Sequence, residues 1–154
     1  MELNTRGRYA VMAMADLAKQ ESSAATSLSA IAARQNLPAA YLEQLFLKLR
    51  RAGLVESVRG RHGGYRLGRP AHDISVAEVM LAVEEETRMT SCLGEGSAGC
   101  RGKEKCLTHA LWHALGQHIR GFLGNVSLQE VLDGIPAAAR GAPSAPATRE
   151  ISVE

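Results

Sequence analysis

The sequence predicts a mainly α-helical fold with one small β-hairpin, and three features indicate it. A short break containing Asn36 and Pro38 separates two helical segments, an alternating segment follows at 54–58, and a helical segment with a broad apolar face begins at Leu107. Proline fits the first turn of a helix, so the break indicates a helix-turn-helix. We therefore expect a helix-turn-helix, then a hairpin, and a long helix near the C-terminus.

Length and composition narrow the possible classes of protein. The 154 residues are enough for one compact core, and 45% hydrophobic and 22% charged residues are ordinary for a soluble globular protein. No apolar run approaches the roughly 18 residues that a membrane span needs, and the N-terminal residues lack the apolar core of a signal peptide. We therefore expect a cytoplasmic protein with no membrane partner.

Positive charge is concentrated in the first part of the chain. The net charge is only +2, but residues 1–70 hold 11 of the 18 lysines and arginines and only 5 of the 16 acidic residues. Such a basic region suits contact with phosphates, although a solvated basic surface would have the same composition. Charge alone leaves both interpretations open.

The first helix is predicted to be capped by Thr5 and to run through RGRYAVMAMADLAKQ, where apolar residues recur at helical spacing. Its start carries Arg6 and Arg8, and the backbone N–H groups at a helix N-terminus favour an anion. Arg8 is therefore a candidate for phosphate contact. The polar segment 21–27 predicts a loop.

The helix-turn-helix is predicted to consist of a short helix at about 29–35 and a second helix from Pro38 to Gly53. One face of the second helix is apolar and expected in the core: Leu42, Leu45, Phe46 and Leu49. Its opposite face has small and amide side chains first and cations further along, which suits the DNA major groove, although an ordinary surface helix looks similar. The candidates for DNA contact there are Ala40, Glu43, Gln44, Lys48 and Arg51.

A basic hairpin follows directly. LVESV alternates as a strand, RGRHGG supplies cations and glycines for a turn, and YRL predicts a returning strand. A helix-turn-helix followed by a basic hairpin is a winged helix. Arg59 and Arg61 then lie at the wing tip, where they suit a narrow minor groove; solvent-facing arginines on a plain hairpin are the alternative.

A supporting helix is predicted at 75–83, because Ser75 and Glu78 have the spacing of a capping box. Its apolar positions share one face: Val76, Val79, Met80 and Val83. We assign residues 1–83, including this helix, to a winged helix-turn-helix DNA-binding domain.

All three cysteines lie in one glycine-rich segment with the spacing Cys-x7-Cys-x5-Cys-x2-His, formed by Cys92, Cys100, Cys106 and His109. Clustered thiols in odd number, in a reducing compartment, argue against a disulfide framework. Thiolates and imidazoles bind iron-sulfur clusters and zinc, and the wide spacing favours a [2Fe-2S] cluster over a closed zinc site. We assign 84–106 to a cluster-binding loop; His113, one turn after His109, is a rival ligand.

The last long helix has an apolar stripe with further apolar positions beside it: Leu111, Leu115, His118, Ile119 and Phe122, with Trp112 and Leu123 next to them. This breadth predicts a partner helix, and a symmetric dimer is the simplest source of one. A dimer would bind a palindromic DNA operator. We assign 107–134 to this dimerisation helix and a short final helix capped by Ser127 and Glu130, and 135–154 to a disordered tail.

Four motifs are specific enough to compare with known families: GRYAVMAM at 7–14, YLEQLF at 41–46, SVRGRHGGYRLG at 57–68 and KCLTHALW at 105–112. With them the chain, over about residues 1–134, resembles the IscR iron-sulfur cluster regulators, a branch of a larger family of bacterial winged-helix repressors. The resemblance implies a homodimeric, non-enzymatic transcription regulator that binds a [2Fe-2S] cluster and represses cluster assembly genes. The assembly machinery would be the cluster donor.

The resemblance also implies roles for particular residues. The cluster ligands fall on Cys92, Cys100, Cys106 and His109, which favours His109 over His113 by analogy. The family's DNA contacts fall on Glu43, Gln44 and Arg59. A carboxylate is repelled by phosphates and accepts only from donors such as cytosine N4, so Glu43 suits a discriminating role. The chain departs from the family in its longer first cysteine gap and in Ala40, where a hydroxyl residue is common.

Three other functions are compatible with the sequence. A nitric-oxide or redox-sensing repressor would share this fold and cluster, and a zinc protein that binds DNA constitutively would use the same ligands. An iron-sulfur electron-transfer protein would have no use for a basic winged helix. The sequence contains no paired acid and base or activated nucleophile of the kind that would indicate an enzyme.

Overall fold

The computed structural model describes residues 4–20, 25–84 and 106–134. These ranges contain helices α1 (Thr5–Lys19), α2 (Leu28–Gln35) and α3 (Ala39–Arg51), strands β1 (Val55–Val58) and β2 (Gly64–Leu67), a 3-10 turn (Ala71–Asp73), and helices α4 (Val76–Ala82), α5 (His109–Gly124) and α6 (Leu128–Leu132). The predicted mainly helical fold with an antiparallel hairpin is confirmed. The predicted cluster-binding loop lies outside the described residues, apart from its two ends, Glu84 and Cys106. The predicted tail 135–154 and residues 21–24 of the first predicted loop also lie outside them.

The N-terminal cap of α1 differs from the prediction. Asn4 is the cap, since its Oδ1 accepts a hydrogen bond of 3.2 Å from the backbone N–H of Arg6, and Thr5 is the first helical residue. The prediction of Thr5 as cap was wrong by one residue. Asparagine and threonine are both good caps, so the sequence does not distinguish between these neighbours.

The helix-turn-helix has well-defined ends. Ser27 caps α2 by accepting from the N–H of Ala30 at 3.2 Å. The helix ends at Asn36, whose left-handed backbone (φ +52°) is tolerated by asparagine better than by most residues. Pro38 then precedes α3 in an extended conformation. These residues make the turn that orients α3 against α2.

The core lies between α1, α2, α3, α4 and α6. The four apolar residues predicted on the inner face of α3 are all buried, and Phe46 is the largest fully buried side chain. Leu128 of α6 is fully buried in the same cluster. The final short helix therefore completes the core on which α3 rests.

The hairpin is attached to this core by two contacts that the sequence did not indicate. Thr26 pairs with Tyr65 through two backbone hydrogen bonds of 2.8 Å, and a Cβ added at Gly64 would overlap the Thr26 carbonyl. The Tyr65 ring packs edge-on against Phe46 of α3, with centroids 4.9 Å apart. The hairpin and α3 are thus fixed relative to each other.

Both predicted capping boxes are present, at Ser75 with Glu78 and at Ser127 with Glu130. The two capped helix starts also pair with each other: the N–H of Val76 donates to the Val126 carbonyl at 2.8 Å, and the N–H of Leu128 donates to the Ile74 carbonyl at 2.9 Å. The starts of α4 and α6 are therefore held side by side.

A buried carboxylate joins α1 to α2. Asp16 accepts from the Arg34 guanidinium at 2.6–3.2 Å and from the Gln35 amide at 2.8 Å. Burial by itself would raise the pKa of Asp16, but the hydrogen bonds from Arg34 and Gln35 and the charge of Arg34 outweigh it and leave the pKa below its usual value. Asp16 is therefore ionised at neutral pH.

Asp16→Ala is expected to lower the free energy of unfolding by about 2 kcal/mol at pH 7, less than for a fully buried pair because the Arg34 side chain is 38% exposed. The folded pKa lies below an unfolded value of about 3.9, so this stabilisation is present above that value and lost as pH falls through the folded pKa. Urea unfolding at pH 7 and pH 3 checks this. A difference in unfolding free energy between variant and wild type that is the same at both pH values would contradict this prediction. Asp133→Ala removes an exposed carboxylate and is the control, which should change the unfolding free energy little at either pH.

Candidate DNA interface and metal-centre ligands

The outer face of α3 carries most of the predicted DNA contacts. Ala40, Glu43, Gln44 and Arg51 are all exposed, opposite the buried apolar face. The N-terminal cap, Pro38, makes no side-chain hydrogen bond to the helix. This end therefore presents small and amide side chains at the surface, as a helix that approaches base edges requires.

Two further residues share this face and were not among the predicted contacts. Leu47 is 40% exposed, and Arg50 is exposed. Helical spacing could have indicated that Leu47 lies on this face, because it follows Glu43 by four positions and Gln44 by three. A leucine in an amphipathic helix is usually assigned to the core, which explains why Leu47 was missed.

Lys48 differs from the other predicted contacts because it is paired within the chain. Its Nζ donates at 2.6 Å to Oε2 of Glu84, which lies two residues after the end of α4. This hydrogen bond, and then the charge of Lys48, lower the pKa of the Glu84 carboxyl, with a smaller contribution from the charge of Arg6. No spacing in the sequence indicates this pair, whose members are 36 residues apart.

The remaining predicted cations lie at the surface on other elements. Arg8 is exposed on the first turn of α1, and Arg59 and Arg61 are exposed at the hairpin tip. Gly60 makes that tight tip possible with φ +122°. Arg66 of β2 instead donates to Glu56 of β1 at 2.9 Å. The wing therefore directs two arginines outward and pairs a third across the hairpin.

Two of the four predicted cluster ligands are described, and they share one turn. The N–H of His109 donates to the Cys106 carbonyl at 3.0 Å at the start of α5. Cys106 Sγ lies 3.5 Å from Thr108 Oγ1, which also accepts from Trp112 Nε1 at 3.2 Å. A thiol and an imidazole on one turn are donors that suit an iron-sulfur cluster.

The other predicted thiols, Cys92 and Cys100, lie outside the described residues. Within the ranges that are described, no three His, Cys, Asp or Glu side chains form a metal-binding group. The His113 ring is nearly parallel to that of His109, with centroids 6.4 Å apart. The geometry thus brings Cys106 and His109 together and leaves the choice between His109 and His113 open.

Helix α5 exposes the apolar stripe predicted for it. Leu111 is 59% exposed, and Leu115 and Phe122 are also exposed, whereas the only buried residue of this helix is Gly116. The helix begins at His109, two residues later than predicted, because residues 106–108 form a turn before it. None of the helices in the described part of the chain is long and apolar enough to cross a membrane.

A helix-turn-helix with an exposed second helix, a hairpin fixed beside it and outward arginines at the hairpin tip define a winged-helix DNA-binding regulator. The Rrf2 family, described as iron-dependent transcriptional regulators, matches residues 3–134. The chain belongs to this family.

Relatives and solved structures agree with this assignment. The HTH-type transcriptional regulator IscR of Photobacterium profundum is 50% identical over 132 residues, which cover 86% of this chain and 76% of that protein. IscR of Escherichia coli O9:H4 is 50% identical over 139 residues, 86% of this chain and 85% of that protein. The predicted resemblance to IscR regulators is confirmed, and the relatives are named as transcriptional regulators rather than enzymes.

The fold is also shared with proteins of known structure. CymR, the global cysteine regulator of B. subtilis, has a TM-score of 0.73 and 31% identity, covering 87% of this chain and 98% of its own. IscR of T. potens has a TM-score of 0.70 and 33% identity, covering 96% and 94%. These similarities confirm the predicted winged-helix fold.

Proposed function

We propose that this regulator is a homodimer that binds a [2Fe-2S] cluster through Cys92, Cys100, Cys106 and His109 and represses iron-sulfur cluster assembly genes. One observation supports the proposal: in a chain half identical to IscR regulators, Cys106 and His109 lie in one turn at the start of α5, joined by a backbone hydrogen bond. The cluster would come from the assembly machinery, and its occupancy would change which promoters the protein binds. The cytoplasm is the proposed location.

The proposed DNA complex follows from the exposed side chains. Helix α3 would enter the major groove with Ala40, Glu43 and Gln44 near base edges, and Arg51 would lie towards a phosphate. Arg59 and Arg61 would enter the adjacent minor groove, and Arg8 would contact the backbone at the start of α1. Because Tyr65 contacts Phe46, the hairpin and α3 would bind as one rigid unit.

The proposed dimer rests on α5. Its exposed leucines and Phe122 form an apolar surface of the kind that a second copy of the helix would cover. Two copies would place two recognition helices on a palindromic operator. We propose that residues 1–83 bind DNA, residues 84–106 bind the cluster and residues 107–134 form the dimer.

The cluster would supply a labile, redox-active centre; the protein would supply the donors that hold it. Three thiolates and a neutral imidazole carry less negative charge than four thiolates, which favours the reduced state of a bound cluster. Thr108, which contacts the Cys106 sulfur and is itself held by Trp112, would orient that thiol.

Anaerobic purification tests the proposal. Visible charge-transfer absorption with matching iron and sulfide is expected, together with promoter footprints that differ between cluster-bound and cluster-free protein. A colourless protein with stoichiometric zinc would instead indicate the zinc-binding alternative. Identical footprints in both states would contradict a cluster-dependent choice of promoter.

Glu43→Ala is expected to let the cluster-free protein bind sites that the cluster-free wild type rejects, with about a tenfold gain in affinity. The reason is that removing an exposed carboxylate from the recognition helix removes its repulsion of base acceptors, an effect of about 1–3 kcal/mol. Affinities for those sites, and for a site that the wild type binds with and without the cluster, are measured in both cluster states. Gln44→Ala, which removes an amide, is the matched control and should weaken binding instead. Unchanged dependence on the cluster in Glu43→Ala would show that Glu43 is not the discriminating residue.

A further inference from the structure

The contact between Lys48 and Glu84 joins the recognition helix to the end of the supporting helix. Lys48 lies in the second half of α3, and its side chain is only 32% exposed, although Gln44 and Arg51, one turn to either side, are exposed. Glu84 is 71% exposed and lies at the protein surface. The 2.6 Å separation between Nζ and Oε2 is that of a charge-assisted hydrogen bond.

The backbone at Glu84 is unusual for its residue type. Its φ of +59° lies in the left-handed region, where glycine is favoured and side chains with a Cβ are disfavoured. A glutamate at this position directs its carboxylate to Lys48, and the charge of Arg6 on α1 also acts on that carboxylate. The carboxylate of Glu84 therefore holds a cation of the helix that we assign to the major groove.

We propose that Glu84 is a positioning residue that holds the Lys48 ammonium against α4 and keeps it from DNA phosphates. This inference rests on the proposed placement of α3 on DNA. Non-specific affinity depends on how many phosphates a protein neutralises, so sequestering one cation per chain lowers it. Base contacts by Glu43 and Gln44 are unaffected, which raises the ratio of specific to non-specific binding.

The test uses four full-length proteins in the same cluster state: wild type, Glu84→Gln, Lys48→Gln and the double variant. Their affinities for a non-specific DNA duplex are measured between about 50 and 200 mM salt. Glu84→Gln is expected to make the slope of log K against log salt steeper by about 0.9 for each chain on the DNA, because Lys48 is released to contact a phosphate. Lys48→Gln and the double variant should keep the wild-type slope.

A matched control separates this effect from a change in net charge. Asp133→Asn removes one negative charge from an exposed position after α6, and its slope should equal that of the wild type. The inference is overturned if Glu84→Gln keeps the wild-type slope or if the double variant retains a steeper one. If the wild type itself shows no salt-dependent DNA binding, the proposed function is contradicted. If the wild type binds DNA but Glu84→Gln keeps its slope, only the inference about Glu84 is contradicted.

Discussion

Cys106→Ser is expected to give a colourless protein that still binds DNA but no longer changes its choice of promoter with iron-sulfur supply. A serine hydroxyl is a harder donor than a thiol and is not ionised at neutral pH, so it is a poor ligand for iron in a cluster. The substitution changes one atom of a half-buried side chain at the start of α5, so we expect the fold to be retained. Anaerobic absorption spectra, iron and sulfide analysis and footprinting measure the effect.

The neighbouring residues provide the controls for this prediction. Thr108→Ala removes the hydroxyl 3.5 Å from Cys106 Sγ but leaves the thiol, and should therefore weaken cluster binding without abolishing it. His109→Ala should lose it, whereas His113→Ala should retain it; the reverse result would identify His113 as the ligand. Stoichiometric iron and sulfide in Cys106→Ser would contradict the proposed site.

Leu111→Glu is expected to convert the protein to a monomer and to weaken operator binding by about 100-fold or more. A carboxylate at the most exposed position of the α5 stripe would have to be buried, unpaired, in the proposed dimer interface. Loss of the dimer removes the high effective concentration with which the second half-site is bound. Sedimentation and titration of a palindromic operator measure both effects.

Gln117→Glu is the matched control, because it places the same carboxylate on the opposite side of α5. It should leave the dimer and operator affinity intact. A stable dimer in Leu111→Glu would show that a different surface joins the two copies.

Features that depend on local sequence were predictable. The buried face of α3 followed from helical spacing, and the two capping boxes followed from serine and glutamate three residues apart. The candidate cluster ligands were found because all three cysteines of the chain lie in one segment. Patterns within a few residues carry this information directly.

Features that depend on distant residues were not predictable. Thr26 meets Tyr65 and Lys48 meets Glu84 only because the core brings separate elements together, and no spacing in the sequence signals either pair. Lys48 was predicted as a DNA contact from its position on α3, which says nothing of a partner on another element. The sequence does not choose between His109 and His113 for a related reason, since they lie one turn apart at the start of α5.

The paired starts of α4 and α6 have a consequence for how this regulator tolerates change. A hydrogen bond joins the backbone of Val76 to that of Val126, so the segment between them forms a loop with its ends held together. The entropic cost of closing a loop grows only with the logarithm of its length. Extra residues between Cys92 and Cys100 therefore cost little folding free energy, and the proposed cluster-binding loop can vary in length while α1, α2 and α3 keep their arrangement.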